Sequence, residues 1–302
     1  MFHHFHDDIT HKKSQGSIDS HDLIKIIDYI DENYNLISPE EYLYKLLNDN
    51  LGIFDVCFSF DDGLKSQFDI AFSELNKKGI NAFYFIYSSA FTDTPSLLEF
   101  NRDFRNNYYD KIDSYYDDFF CKFRNLYSSD YEKYLKEYPD NYLASYPFYK
   151  EYDKRYRYAR NQILKQNYQN IVMNLMEDKN YSIKERKSLL FMNESNIKEL
   201  RNSGNTIGLH SHTHPTLMAD LLYSDQLSEF YKNKTFLESV LSERIVSMSH
   251  PCGNYNKDTL TILTEMGVKI GFRSSLTPST INSNLEIPRE DHSNLINFLN
   301  KS

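Results

Sequence analysis

The sequence predicts an α/β protein built on a parallel sheet or barrel, and two observations carry that expectation. Apolar runs of strand length alternate with stretches of helical period through residues 53–87 and again from residue 191 onward, and three of the helices are closed by Gly79, Gly204 and Gly267. Strand-helix units in series give parallel strands, whose functional groups gather where the strands end.

Taken in order, Leu23, Ile26, Ile27 and Ile30 repeat at helical spacing within residues 22–48, and Ser38-Pro39-Glu40-Glu41 opens a second helix with proline in its first turn. Residues 53–60 read as a buried strand. Residues 64–78 follow as a helix with Leu64, Phe68, Phe72 and Leu75 on one face, and 81–87 as an aromatic-rich strand. From about 95 to 187 glycine is absent, tyrosines crowd among Asp, Lys and Arg, and Ile163, Leu164, Tyr168, Ile171 and Leu175 repeat at helical spacing. This stretch is expected as a Tyr-rich helical insertion within one domain of residues 1–302, either a plain elaboration of a loop or a wall that selects substrate. Beyond it the pattern predicts helices at 194–202, 224–241 and 257–266, and strands at 206–210, 245–249 and 269–273.

Length and composition suit a chain with a full core: 302 residues, 40% hydrophobic and 25% charged. Against 43 Asp and Glu stand 34 Lys and Arg, a net charge of -9 without a basic stripe, so nucleic acid is not an expected partner. No stretch reaches the roughly 18 to 20 apolar residues of a membrane span. Residues 1–13 are rich in His and Asp where a signal peptide would be basic and then apolar, so the expected location is cytoplasmic. Cys57, Cys121 and Cys252 are odd in number and far apart, which fits reduced thiols rather than a disulfide framework.

The ten histidines fall in two groups: His3, His4, His6, His11 and His21, then His210, His212, His214, His250 and His292. His210-Ser211-His212-Thr213-His214-Pro215 starts where a predicted strand ends, and a His-x3-His spacing can bring two imidazoles to one metal. Pro215 disfavours helix just before it, which places the pair on a loop, and no Glu follows the first His as in zincins. His212 then points elsewhere. Asp61-Asp62-Gly63 supplies two carboxylates at a strand end that cannot face the same way, so one can hold a metal while the other faces its water.

Ser59-Phe60-Asp61-Asp62-Gly63 resembles the first motif of the polysaccharide deacetylases, the NodB-homology or carbohydrate esterase family 4 group, and His210-Ser211-x-x-His214-Pro215 resembles the second. The resemblance implies a distorted parallel (β/α) barrel. It further implies Zn²⁺, or Ni²⁺, Co²⁺ or Fe²⁺, on Asp62, His210 and His214, with Asp61 as catalytic base. Ser249-His250-Pro251-Cys252-Gly253 is similar to a third motif, which in the family commonly starts with an Arg that orients the base and often has Tyr where Cys252 stands. The backbone N–H of Cys252 can still steady an oxyanion. The orienting guanidinium is then expected from Arg289. The family's last motif supplies a His that protonates the leaving amine; His292 is the candidate here. Phe2-His3-His4 resembles the Tyr-His start of one branch, so His3, His4 or His6 could instead reach the site, the alternative for each being a frayed terminus.

The expected activity is hydrolysis of an N-acyl group, above all N-acetyl, on an amino sugar, a nucleotide sugar or an oligosaccharide of the cytoplasm. A deformylase or another amide hydrolase on the same residues, and a sugar-binding protein without turnover, are the alternatives. Tyrosines of the insertion could stack on sugar rings.

Overall fold

The computed structural model describes residues 1–143 and 150–301. They form two compact units, Met1–Ser96 with Ser188–Ser302, and Leu97–Lys187.

In the first unit β1 (Asn35–Leu36) pairs with β2 (Asp55–Val56), and a five-stranded sheet runs in chain order through β3 (Ser59–Asp61), β4 (Phe83–Ile86), β5 (Thr206–Leu209), β6 (Ser247–Ser249) and β7 (Ile270–Phe272). Every pairing is parallel, the half-barrel arrangement expected of serial strand-helix units. Alternation divides the apolar side chains between two faces. Phe60, Tyr84, Ile86, Ile207, Leu209 and Met248 pack into one buried cluster, while Phe83, Phe85, Ile270 and Phe272 join Ile37, Tyr42 and Ile287 in the other. Each fully buried phenylalanine contributes roughly 2 kcal/mol, so this second cluster is a firm floor beneath the strand ends. Gly208 permits it: a Cβ there would stand 2.5 Å from the Phe85 ring and 2.6 Å from Ser247 Oγ.

Helices Ser20–Asn33, Glu194–Asn202, Tyr223–Leu241 and Lys257–Glu265 form where the periodicity places them. Residues 53–60 differ from expectation: Ile53 is 91% exposed and Phe54 60%, and the strand is broken in two. The Asp55 carboxylate accepts from Gly52 N at 2.8 Å and pairs with Lys45 at 3.2 Å, closing a turn that holds the two apolar residues outside. Residues 64–78 also depart from a plain helix, with π-turns over Gln67–Phe72 before the α-helix Ser73–Lys77. Gln67 sends its amide to the carbonyls of Asp61 and His3 and accepts from Leu64 N.

The second unit is helical and carries the tyrosine-rich stretch. Helices Leu98–Tyr108, Ile112–Leu126, Ser128–Glu137, Glu151–Tyr158 and Tyr168–Asp178 bury Phe100, Phe104, Tyr115, Phe119 and Tyr156. Arg186 clasps Asp103 with Nε and Nη2 at 2.8 and 2.6 Å, and the Tyr181 hydroxyl donates to the same carboxylate at 2.8 Å. Among the described residues no helix is long and apolar enough to cross a membrane.

Candidate metal centre

Strand ends deliver the site residues one by one. Asp61 closes β3 and Asp62 follows it at φ 83°; His210 follows β5, and the turn after it returns through Ser211 at φ 62° to His214 at φ 57°. Left-handed backbone at non-glycine residues costs about 1–3 kcal/mol each and persists where packing demands it. Here it turns Asp62 away from Asp61 and brings His214 back over His210, the ring centroids 4.7 Å apart.

Asp62 Oδ1 lies 3.4 Å from His210 Nε2 and 3.4 Å from His214 Nε2, and all three residues are buried. Two atoms each about 2.1 Å from one ion at a tetrahedral angle stand about 3.4 Å apart, so the separations are those of ligands sharing a metal. Two further observations fit. Asp62 Oδ1 is buried and accepts no hydrogen bond. His210 Nδ1 donates to the Ser249 carbonyl at 2.8 Å, which fixes the tautomer and leaves the Nε2 lone pair facing Asp62. Asn233 holds the backbone of this turn, accepting from His210 N at 2.9 Å and donating to the Ile86 carbonyl at 2.9 Å.

Beside this triad Asp61 is gripped by Arg289, Nη1 on Oδ1 and Nη2 on Oδ2, while Ser249 Oγ donates to Oδ2 at 3.1 Å and accepts from Arg289 Nη2 at 2.7 Å. The guanidinium rests over the Phe85 and Phe272 rings at 5.7 and 5.8 Å. Burial opposes the Asp61 charge, but Arg289 and then His210 outweigh it and hold the carboxyl well below the usual range. At Asp62 burial is likewise overcome by His210 and His214, and the carboxyl lies below the usual range. His210 is raised: burial lowers it, and Asp61 and Asp62 more than reverse that.

The histidines proposed as proton donors part company. The N-terminal segment is a docked strand, not a frayed end: Phe2 pairs with Phe60, donating to the Ser59 carbonyl at 2.8 Å and accepting from Asp61 N at 3.1 Å. His3 therefore sits at the site, Nε2 3.9 Å from Asp61 Oδ2 and Nδ1 3.8 Å from Asp291 Oδ2, with 27% of its side chain exposed. Desolvation lowers its imidazole to about 4 against the pull of Asp62 and Asp61. His4 stacks near His3, and His6 is buried with Nδ1 3.0 Å from Ser17 Oγ. His292 lies flat on Phe2 with Nε2 on the Gly16 carbonyl at 2.9 Å and Nδ1 facing the Met1 carbonyl at 3.3 Å, so both nitrogens are turned to backbone rather than to Asp61. His212 turns away from the triad to Ser88 Oγ at 2.8 Å. Cys252 has an exposed thiol and a left-handed backbone, φ 53°, in the turn after β6.

The sequence profile described as polysaccharide deacetylase matches residues 152–271, a span that takes in His210, His214 and Ser249 to Gly253 and leaves Asp61 and Asp62 outside. Over those residues, fewer than half of its length, the chain is similar to the polysaccharide deacetylases. Solved structures share its fold. Against IcaB from Ammonifex degensii the TM-score is 0.57 at 13% identity, covering 99% of this chain and 95% of that one. A de-N-acetylase from Aggregatibacter actinomycetemcomitans gives 0.55 at 14%, covering 98% and 97%. The Streptococcus pyogenes deacetylase PplD, solved in complex with acetate, gives 0.53 at 16%, covering 98% and 95%. No protein of curated function matches the sequence.

Sequence reasoning about this site left out the roles of Ser249 and Asn233 and the choice among the histidines. Ser249 stands where the family commonly has Arg, a departure that itself marks the position. Asn233 is a fully buried amide in the helix Tyr223–Leu241, and one Asn among helical residues carries no local sign of that role.

Proposed function

We propose that this chain is a metal-dependent hydrolase that removes the acetyl group from the nitrogen of an amino sugar, carried by a small saccharide, a nucleotide sugar or an oligosaccharide. The observation that supports this most is the pairing of a buried Asp62, His210 and His214 triad with a second carboxylate, Asp61, locked beside it by Arg289. A sugar-binding protein without turnover has no use for a base so placed.

Asp62, His210 and His214 would hold a divalent ion, Zn²⁺ or one with similar preferences. Such an ion supplies Lewis acidity, polarising the amide carbonyl and bringing the pKa of water towards about 7. Asp61 takes the proton from the attacking water, its two oxygens aimed by Arg289 and Ser249. The Cys252 N–H steadies the charge that grows on the carbonyl oxygen. As the C–N bond breaks, the nitrogen must gain a proton to leave as an amine. His3 gives it, oriented through Nδ1 by Asp291. Neutral at rest, the imidazole first takes up the proton that Asp61 has removed from water, Nε2 standing 3.9 Å from Asp61 Oδ2, and then passes it to the nitrogen.

The test is acetate release from a panel of N-acetylated sugars and nucleotide sugars, with metal content measured alongside, for wild type and Asp61→Asn. Acetate from wild type and none from a metal-loaded Asp61→Asn is the expected result. Bound metal without turnover on any amide would leave a binding protein, and formate from N-formyl sugars would replace acetyl by formyl.

A further inference from the structure

The turn that carries His210 and His214 is held from outside on two sides. Ser88 N and Ser89 N, just beyond β4, donate to the carbonyls of Ser211 and His212 at 3.3 and 2.8 Å. The N–H groups of the turn go the other way, to the helix Tyr223–Leu241. Asn233 accepts from His210 N at 2.9 Å. Glu229 accepts from His212 N at 3.0 Å and from Thr213 N at 2.7 Å, both on Oε2, and its Oε1 takes the Thr213 hydroxyl at 2.9 Å. His214 N stays within the turn, on Ser211 Oγ at 3.1 Å.

Glu229 and Asn233 stand four residues apart on that helix and so share a face. Asn233 anchors the turn at its first histidine, whereas Glu229 secures its middle, between Ser211 and His214 with their left-handed backbones. Such backbone persists only where its surroundings enforce it, and residues 210–214 include no glycine to adopt it freely. Releasing residues 212 and 213 therefore lets His214 leave its place, Nε2 3.4 Å from Asp62 Oδ1. A carboxylate suits the task, since it offers two oxygens and binds N–H more strongly than a neutral acceptor. What Glu229 grips is backbone and not the His212 ring, whose Nδ1 faces Ser88 Oγ at 2.8 Å.

We propose that Glu229 is a positioning residue of the metal centre: by holding the amides of His212 and Thr213 it keeps the His214 imidazole in place and sets how tightly the triad retains a divalent ion. The inference rests on the reading of Asp62, His210 and His214 as ligands. Groups that orient ligands from behind typically change metal affinity by about 10–100-fold when removed.

Competition for Zn²⁺ between the full chain and a chromophoric chelator tests this without turnover. Glu229→Ala should bind Zn²⁺ about 10–100-fold more weakly than wild type, and Glu229→Gln, which keeps an acceptor but loses its charge, about fivefold more weakly. With Co²⁺ as the probe, the visible absorption of Glu229→Ala should differ from that of wild type, because it follows ligand geometry. Glu238, towards the end of the same helix, accepts from Ile245 N at 3.0 Å. Glu238→Ala should lower the melting temperature and leave Zn²⁺ affinity unchanged, so lost stability alone does not imitate the effect. Should Glu229→Ala fail to fold, Glu229→Gln decides alone. Wild-type affinity in every folded Glu229 variant, or an equal loss in Glu238→Ala, overturns the role and leaves the triad standing. A wild-type chain that takes up no Zn²⁺ overturns both the triad and this role.

Discussion

Arg289 clasps the carboxylate of Asp61 edge to edge, Nη1 on Oδ1 at 2.8 Å and Nη2 on Oδ2 at 2.7 Å, from 228 residues further along the chain. A lysine keeps the charge but loses the fork that fixes the plane of the carboxylate. Arg289→Lys should therefore lower kcat by about 10²-fold with KM little changed. Arg289→Ala also leaves a buried carboxylate unpaired and should cost about 3–5 kcal/mol in urea unfolding. Wild-type kcat in Arg289→Lys would remove the orienting role.

The triad predicts that an ion stabilises the fold as well as serving the chemistry. Chelation should abolish acetate release and lower the melting temperature, and an ion present at roughly 100 to 1,000 times its Kd should restore about 3–4 kcal/mol. Asp62→Asn and His214→Ala should show little bound metal by elemental analysis and no shift on adding it. A shift of wild-type size in both variants would place the ion elsewhere.

His3 and His292 should separate by assay. His3→Gln should slow amide hydrolysis by about 10²–10⁴-fold while sparing an aryl acetate, whose phenolate leaves without a proton. His292→Gln loses contacts to two carbonyls and should lower stability by about 1–2 kcal/mol with kcat near wild type. The reverse pattern would return the donor role to His292.

His250 predicts a pH dependence of stability. It is buried, Nε2 donates to the Leu285 carbonyl at 2.8 Å, and burial lowers its pKa from 6.5 to about 4. Above 6.5 the ring is neutral in folded and unfolded chains alike, so its contribution is complete. As pH falls the unfolded chain takes the proton first, and the contribution is lost between about 6.5 and 4, up to about 3 kcal/mol. Urea unfolding across that range should show the decline, flatter in His250→Gln; parallel curves for the two proteins would assign the decline to other groups.

The parallel order of strands and the cluster of Asp62, His210 and His214 were legible because each rests on local pattern: alternation of period, a glycine stop, a carboxylate pair or two histidines at a strand's end. Arg289 could be nominated only by elimination, since nothing near residue 289 points to residue 61. Ser249 was hidden because a serine in place of an arginine reads as a loss, whereas its hydroxyl joins Asp61 to Arg289. His3 needed the docking of Phe2 against β3, a long-range pairing outside any local period. Ile53 and Phe54 misled for the opposite reason: an apolar run reads as strand, and the turn that exposes them is set by the Asp55 carboxylate and Lys45.

Because residues 3, 61 and 289 meet at one spot, a chain synthesised only as far as residue 288 has its Asp61 carboxylate unaligned. Alignment waits until the segment carrying Ile287 and Arg289 has settled against β7. A half-made molecule on the ribosome is in that sense chemically silent.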